Sequence, residues 1–150
     1  MAFTRADIAY PLDATGYIVP RVSGRPALAA TWVSSKWPGR APQGQALLRV
    51  FLGGVGRGEV LAADDAELER LARAELARSM NLVAAPLWAR VFRFDRASPQ
   101  PLVGHPGRMR RLRALLPPGL HLVASGYDGV GIPDCVRQAG DAARVITGLA

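Results

Sequence analysis

The chain has 150 residues, 49% of them hydrophobic and 21% charged, which suits one ordinary core and excludes a disordered segment or two ample domains. Lys and Arg number 19 against 12 acids, a net charge of +7 carried almost wholly by arginine, since Lys36 is the one lysine. A lone cysteine (Cys135) and two distant histidines (His105, His121) exclude a disulfide framework and a zinc pattern, no apolar run approaches the ~20 residues of a membrane span, and residues 1–20 carry no secretory leader pattern.

In chain order, turn residues around Asp13-Ala14-Thr15-Gly16 lead into a short extended piece, Tyr17-Ile18-Val19, which Pro20 limits. Ser23-Gly24-Arg25-Pro26 predicts a turn, and residues 27–35, rich in small and β-branched side chains, predict a strand. Two prolines and a glycine in 37–42 forbid a helix, residues 46–52 predict a third strand, and Gly53-Gly54-Val55-Gly56 ends it. Strands this close together predict an antiparallel sheet.

The pattern then turns helical. Asp64 or Asp65 caps a predicted helix reaching Met80, with Leu68, Leu71, Ala72 and Leu76 on one face, Glu69 and Arg73 paired on another, and Asn81 as its stop. Residues 87–94 predict a strand anchored by Trp88, Val91 and Phe94. Residues 108–116 predict a short helix with Met109, Leu112 and Leu116 inward, closed by Pro117-Pro118-Gly119. The nearly all-apolar stretch 120–125 predicts a strand covered on both faces. A glycine turn, 126–131, follows at once. Pro133 then opens a helix running to about Gly148, with Ala139, Gly140 and Ala143 as a small-residue face.

A strand, a glycine turn and a helix start can hold an anion, because the glycines admit close approach and the free amides of Val130, Gly131 and Ile132 point outward along the helix dipole. The same arrangement also serves as a tight turn that binds nothing. Asp134 in the first helical turn competes for that field and favours a ligand edge that is polar without being heavily charged. The pattern is not the G-x-G-x-x-G dinucleotide fingerprint. No catalytic grouping stands out: Ser34 and Ser35 have no base partner, Asp64 and Asp65 read as a cap, His121 reads as a core histidine and His105 as a turn residue. The arginines at 108, 110, 111 and 113 cluster without interleaved aromatics, which gives a solvated surface or an anion-binding face but no stacking platform for nucleic acid.

Gly126-Tyr127-Asp128-Gly129-Val130-Gly131-Ile132-Pro133-Asp134-Cys135, with Gly140 and Ala142-Ala143, resembles the C-terminal flavin motif of the oxygen-dependent protoporphyrinogen oxidases and the related bacterial coproporphyrinogen oxidases, which are amine-oxidase-like flavoproteins. Gly16-Tyr17-Ile18-Val19-Pro20 looks like the family's Gly-Phe-x-Val-Pro strand. Residues 34–42 with Leu47-Leu48-Arg49 and Gly53-Gly54 look like its central sheet, and Ala97-Ser98-Pro99-Gln100 with Gly104-His105 like its Ala-x-Pro-Gln-Tyr-x-x-Gly-His segment. Phe94 stands where many relatives have tryptophan, and Pro101 replaces the tyrosine after Pro-Gln.

The resemblance implies an α+β chain. Residues 1–97 would be part of a substrate-binding domain (antiparallel strands plus a helix), and 98–150 the closing strand, glycine turn and helix of an FAD-binding domain whose N-terminal dinucleotide-binding half is absent. It implies FAD as cofactor, approached by the backbones of Val130, Gly131 and Ile132 and by Phe94, with the helix start stabilising negative charge on the reduced ring. It implies a porphyrinogen substrate walled by Ile18 and Trp37, oxidised through the flavin with oxygen as acceptor in haem biosynthesis; it implies no side-chain acid or base, and no catalytic residue is named. Lys36-Trp37 looks more like the coproporphyrinogen branch. The expected partners are the missing N-terminal half, which the isolated chain needs for activity, or a second copy covering the open sheet edges; nucleic acid is not expected. The expected location is the cytoplasm, with a peripheral place on the inner face of the membrane as alternative. The alternative function is a non-catalytic basic module for nucleic acid or a phosphorylated ligand.

Overall fold

The computed structural model describes residues 1–95 and 97–148, which form two compact units, Met1–Arg93 and Phe94–Ala150. The first unit is a four-stranded antiparallel sheet with one long helix. Its strands are β1 (Ala2–Thr4), β2 (Gly16–Ile18), β3 (Ala27–Trp32) and β4 (Gln45–Leu52), in the order β1-β4-β3-β2. The register sets Gly16 opposite Thr31 and Thr31 opposite Arg49, and sets Ile18 opposite Ala29 and Ala29 opposite Phe51. Side chains alternate across a strand. The other parity therefore builds the core: Phe3, Ala30, Trp32, Ala46 and Leu48 are buried, with Tyr17 and Val50 packed against them.

The predicted strand over 27–35 stops at Trp32, where the chain winds into a single helical turn, α1 (Val33–Lys36). The cause is a hydrogen bond: beyond Trp32 the amide of Leu47 on β4 loses its strand partner, and the Ser34 hydroxyl accepts from it at 3.1 Å. Ser34 thus replaces a ladder bond. β1 has no counterpart in the sequence reading, because three residues carry no period. It is held by β4 on one side and, on the other, by Ala2 N–H to Trp88 O (3.0 Å) and Leu87 N–H to Ala2 O (2.8 Å).

Helix α2 (Asp65–Met80) forms as its sequence predicts. The Asp64 side chain accepts from the Glu67 amide at 2.8 Å, and Asn81 ends the helix in the left-handed region at φ 53°. Leu68, Ala72, Leu76 and Met80 are buried on the sheet side, while Glu69 and Arg73 approach to 4.0 Å outside. Glu75 is also buried there, at 4% exposure. Its carboxylate accepts from Arg25 at 3.0 Å, Ser79 at 2.6 Å and Tyr17 at 3.4 Å, so one acid ties the helix to β2 and to the β2–β3 turn.

Burial, then the neighbouring Glu75 carboxylate, pushes the Tyr17 hydroxyl up to about 12, with the nearby Ser79 hydroxyl acting the other way. An acid whose folded pKa is raised contributes stability that is intact below its unfolded value near 10 and lost as pH climbs through 12. Tyr17 is half-buried, so solvent screening reduces the effect. The urea midpoint of the chain is expected to fall between pH 10 and 12, and Tyr17→Phe is expected to remove the part of that fall owed to this hydroxyl.

Two predicted strands do not form. Residues 87–94 make a single bridge, at Trp88, and then run irregularly, with Trp88 and Phe94 exposed. Residues 120–125 are likewise not a strand: Val123 is exposed and so is His121, which is therefore not a core histidine. An apolar run becomes a strand only where another backbone completes its ladder, and among the described residues none pairs with this one. In the second unit, α3 (His105–Ala114) begins three residues earlier than predicted and keeps Met109 and Leu112 half-buried; α4 (Ile132–Thr147) has the predicted limits, ending at a left-handed Gly148. Among the described residues no helix is long and apolar enough to cross a membrane.

Candidate functional site: the glycine turn at the start of helix α4

The turn before α4 owes its shape to glycines at positive φ. Gly126 lies at φ +96°, and its amide donates to the Gly129 carbonyl at 2.9 Å. Gly129 lies at φ +136°, and a Cβ there would stand 2.4 Å from Cγ of Asp134. A Cβ at Gly126 would meet Pro99 at 2.9 Å. Both positions exclude any side chain.

Three side chains far apart in sequence hold this turn. The His105 ring nitrogen Nε2 lies 2.9 Å from the Tyr127 carbonyl oxygen, and His105, read from the sequence as a turn residue, is the first residue of α3. Arg113 forks onto both carboxylate oxygens of Asp128, one of them at 3.1 Å. Arg137 donates to the Asp128 carbonyl at 3.2 Å and lies 3.6 Å from Asp134 and 3.7 Å from Asp141. The pairs of Arg137 with Asp134 and Asp141 are i,i+3 and i,i+4 neighbours within α4, whereas the contacts of His105 with Tyr127 and of Arg113 with Asp128 are made by the fold.

The three predicted amides are not equivalent. Gly131 N–H is taken by Asp134 Oδ2 at 3.3 Å, one arm of a helix cap. The amides of Val130 and Ile132 make no hydrogen bond among the described residues, and both side chains are exposed. Six residues after Ile132 on α4, Gln138 is 6% exposed, with neither Oε1 nor Nε2 partnered. A turn kept bare by two glycines, two donor amides and a helix dipole suit a planar ligand edge bearing carbonyl oxygens and ring nitrogens, as the pyrimidine edge of a flavin does. The carboxylate of Asp134 beside them disfavours a phosphate.

Of the other predicted positions, Phe94 is exposed in the second unit. In the first, Ile18 stands 82% exposed on the outer face of the sheet, and Trp37 follows α1 with the Lys36 ammonium 4.7 Å from its ring centroid. The fold thus keeps Val130, Gly131 and Ile132 together and places Ile18 and Trp37 on separate elements. A cleft of about 490 Å3 in the first unit, lined by Arg5, Leu12, Asp13, Ser34, Arg40 and Gln45 among others, includes none of them.

The flavin containing amine oxidoreductase family matches residues 7–147, and the chain belongs to that family, whose cofactor is FAD. It is 33% identical over 141 residues to coproporphyrinogen III oxidase of Bacillus subtilis, covering 92% of this chain and 30% of that protein. It is 33% identical over 149 residues to the Staphylococcus aureus coproporphyrinogen III oxidase (97% and 32%), and 31% identical over 144 residues to the chloroplastic protoporphyrinogen oxidase of Nicotiana tabacum (92% and 26%). Among solved structures, a protein assigned as a protoporphyrinogen oxidase from Exiguobacterium sp. 255-15 superposes with a TM-score of 0.82 at 28% identity, covering 99% of this chain and 33% of that one. The chain spans a quarter to a third of the length of these relatives.

Proposed function

We propose that this chain supplies the flavin-facing turn and one substrate wall of an FAD-dependent porphyrinogen oxidase of haem biosynthesis that acts on coproporphyrinogen III with oxygen as acceptor. The observation that carries the reading is the turn at Val130 and Ile132, whose amides stand open in a chain of the flavin family. The two bacterial coproporphyrinogen III oxidases above, and the Lys36-Trp37 pair, favour coproporphyrinogen over protoporphyrinogen.

FAD, when bound, supplies the hydride acceptor. Everything assigned to this chain is positioning and electrostatics. Val130 and Ile132 donate amides to the ring edge, and the α4 dipole stabilises negative charge there. The Gln138 side chain, further along α4, is buried and unpartnered and is given no role at the ring. Ile18, with Trp37, offers apolar surface against which a flat macrocycle excludes water. We assign no side chain of this chain to proton transfer.

The test is a chimera in which residues 1–150 replace the matching segment of the Bacillus subtilis relative. It is expected to purify yellow, with flavin bound, and to convert coproporphyrinogen III to its fluorescent porphyrin. Gly129→Ala in that chimera is expected to lower bound flavin at least tenfold, because the added Cβ displaces Asp134 and closes the turn. A folded chimera that binds no flavin contradicts the reading. A basic nucleic-acid module is less well supported: in the arginine cluster, Arg113 is paired with Asp128 and Arg108 donates to the Val103 carbonyl, which leaves Arg110 and Arg111 unengaged among the described residues.

A further inference from the structure

The outer face of the sheet carries a cation that the reading above leaves without a task. β4 buries Leu48 at 1% exposure and packs Val50 against the core, so alternation turns Arg49 and Phe51 outward, where both are exposed. The register carries this face across three strands in two rows: Gly16, Thr31 and Arg49 in one, Ile18, Ala29 and Phe51 in the next. The floor between Ile18 and Phe51 is the single methyl group of Ala29. With strands about 4.8 Å apart and a rise of about 3.4 Å per residue, Arg49 stands about 12 Å diagonally from Ile18.

The Arg49 guanidinium carbon lies 5.9 Å from the Phe51 ring centroid, a contact that favours a guanidinium resting along the apolar row. Among the described residues its side chain makes no hydrogen bond and no ion pair, whereas Arg25, Arg93 and Arg113 each have an acid. An apolar sheet face with the Arg49 fork of donors, unpaired among the described residues, at its rim matches a flat macrocycle that carries a carboxylate on its edge.

Resting on the function proposed above, we propose that Arg49 is a specificity-determining residue of the tetrapyrrole wall: it takes a propionate carboxylate of a macrocycle lying over Ile18, Ala29 and Phe51. Coproporphyrinogen carries four propionates, and protoporphyrinogen carries vinyl groups at two of those positions. A cation at the rim therefore gains a partner from the first at edges where the second offers none.

The experiment titrates the 150-residue chain with three stable probes, coproporphyrin III, its tetramethyl ester and protoporphyrin IX, following tryptophan quenching and the shift of the porphyrin band. The wild-type chain is expected to prefer coproporphyrin III. Arg49→Gln is expected to weaken that binding about tenfold, to erase the preference over protoporphyrin IX and to leave the ester unchanged, while Arg49→Lys restores part of the loss. Arg78→Gln, on the exposed side of α2, removes the same charge elsewhere and is expected to change nothing. Far- and near-ultraviolet circular dichroism checks that each variant is folded. Equal binding of coproporphyrin III by Arg49→Gln and wild type overturns the assignment of Arg49 while leaving the wall intact. Equal loss of the ester overturns it too, since the side chain then acts by packing. If the wild-type chain binds none of the probes, the tetrapyrrole wall itself fails and Arg49 with it.

Discussion

Gly16→Ala is expected to cost about 4 kcal/mol and to leave the first unit largely unfolded at room temperature. Gly16 opens β2 at φ +139°, a conformation that L side chains rarely adopt, and an added Cβ would lie 2.1 Å from the Ala30 carbonyl oxygen and 2.8 Å from Thr31 Cα. Neither neighbour can yield, because both belong to the β3 backbone and Ala30 is buried. The alternative to the clash is to detach β2, which exposes Tyr17 and unlinks Glu75 from that strand. Chemical denaturation monitored by tryptophan fluorescence checks this: a wild-type-like midpoint would mean that β2 contributes nothing to the cooperative unit.

Arg25→Leu is expected to cost about 3 kcal/mol, because it leaves the Glu75 carboxylate buried without its cation. Ser79 and Tyr17 would still donate to it, which keeps the loss below that of a wholly stranded charge. The matched pair Arg25→Leu with Glu75→Leu is expected to recover most of the stability, since two apolar groups need no partner. If the double variant is no more stable than Arg25→Leu alone, as read from urea midpoints, the pair is not the interaction that fastens helix to sheet.

Where a segment's structure is decided by its own side chains, the sequence predicts it closely. The α2 helix, its Asp64 cap and its Asn81 stop are all local, as are Pro133 at the mouth of α4 and the glycines before it. Where a distant backbone decides, the reading fails. Residues 120–125 have the composition of a buried strand, yet composition reports a tendency to be covered without saying by what, and no described strand adjoins them. β1 shows the converse: three unremarkable residues become a strand because β4 offers an edge.

The candidate site divides in the same way. Val130, Gly131 and Ile132 are read from the turn itself, and Arg137 sits on the helix that the turn opens, but His105 and Arg113, which also hold that turn, are brought there by tertiary contact. Glu75 carried a signal that could have been used: it lies seven residues after Leu68 and three after Ala72, on the apolar face, where an acid implies a buried partner. Arg49 carried one as well, since alternation with Leu48 and Val50 sets it beside Phe51 on the opposite face.

The strand order bears on how the chain assembles. The partners Ile18 and Ala29 are 11 residues apart in sequence, whereas Ala2 and Leu47 are 45 apart. Closing the longer loop costs about 1 kcal/mol more in chain entropy. The three-strand meander from Gly16 to Leu52 is therefore the natural nucleus, and the opening residues arrive afterwards as a clasp, bridging an edge already formed to the Leu87–Trp88 segment on its far side.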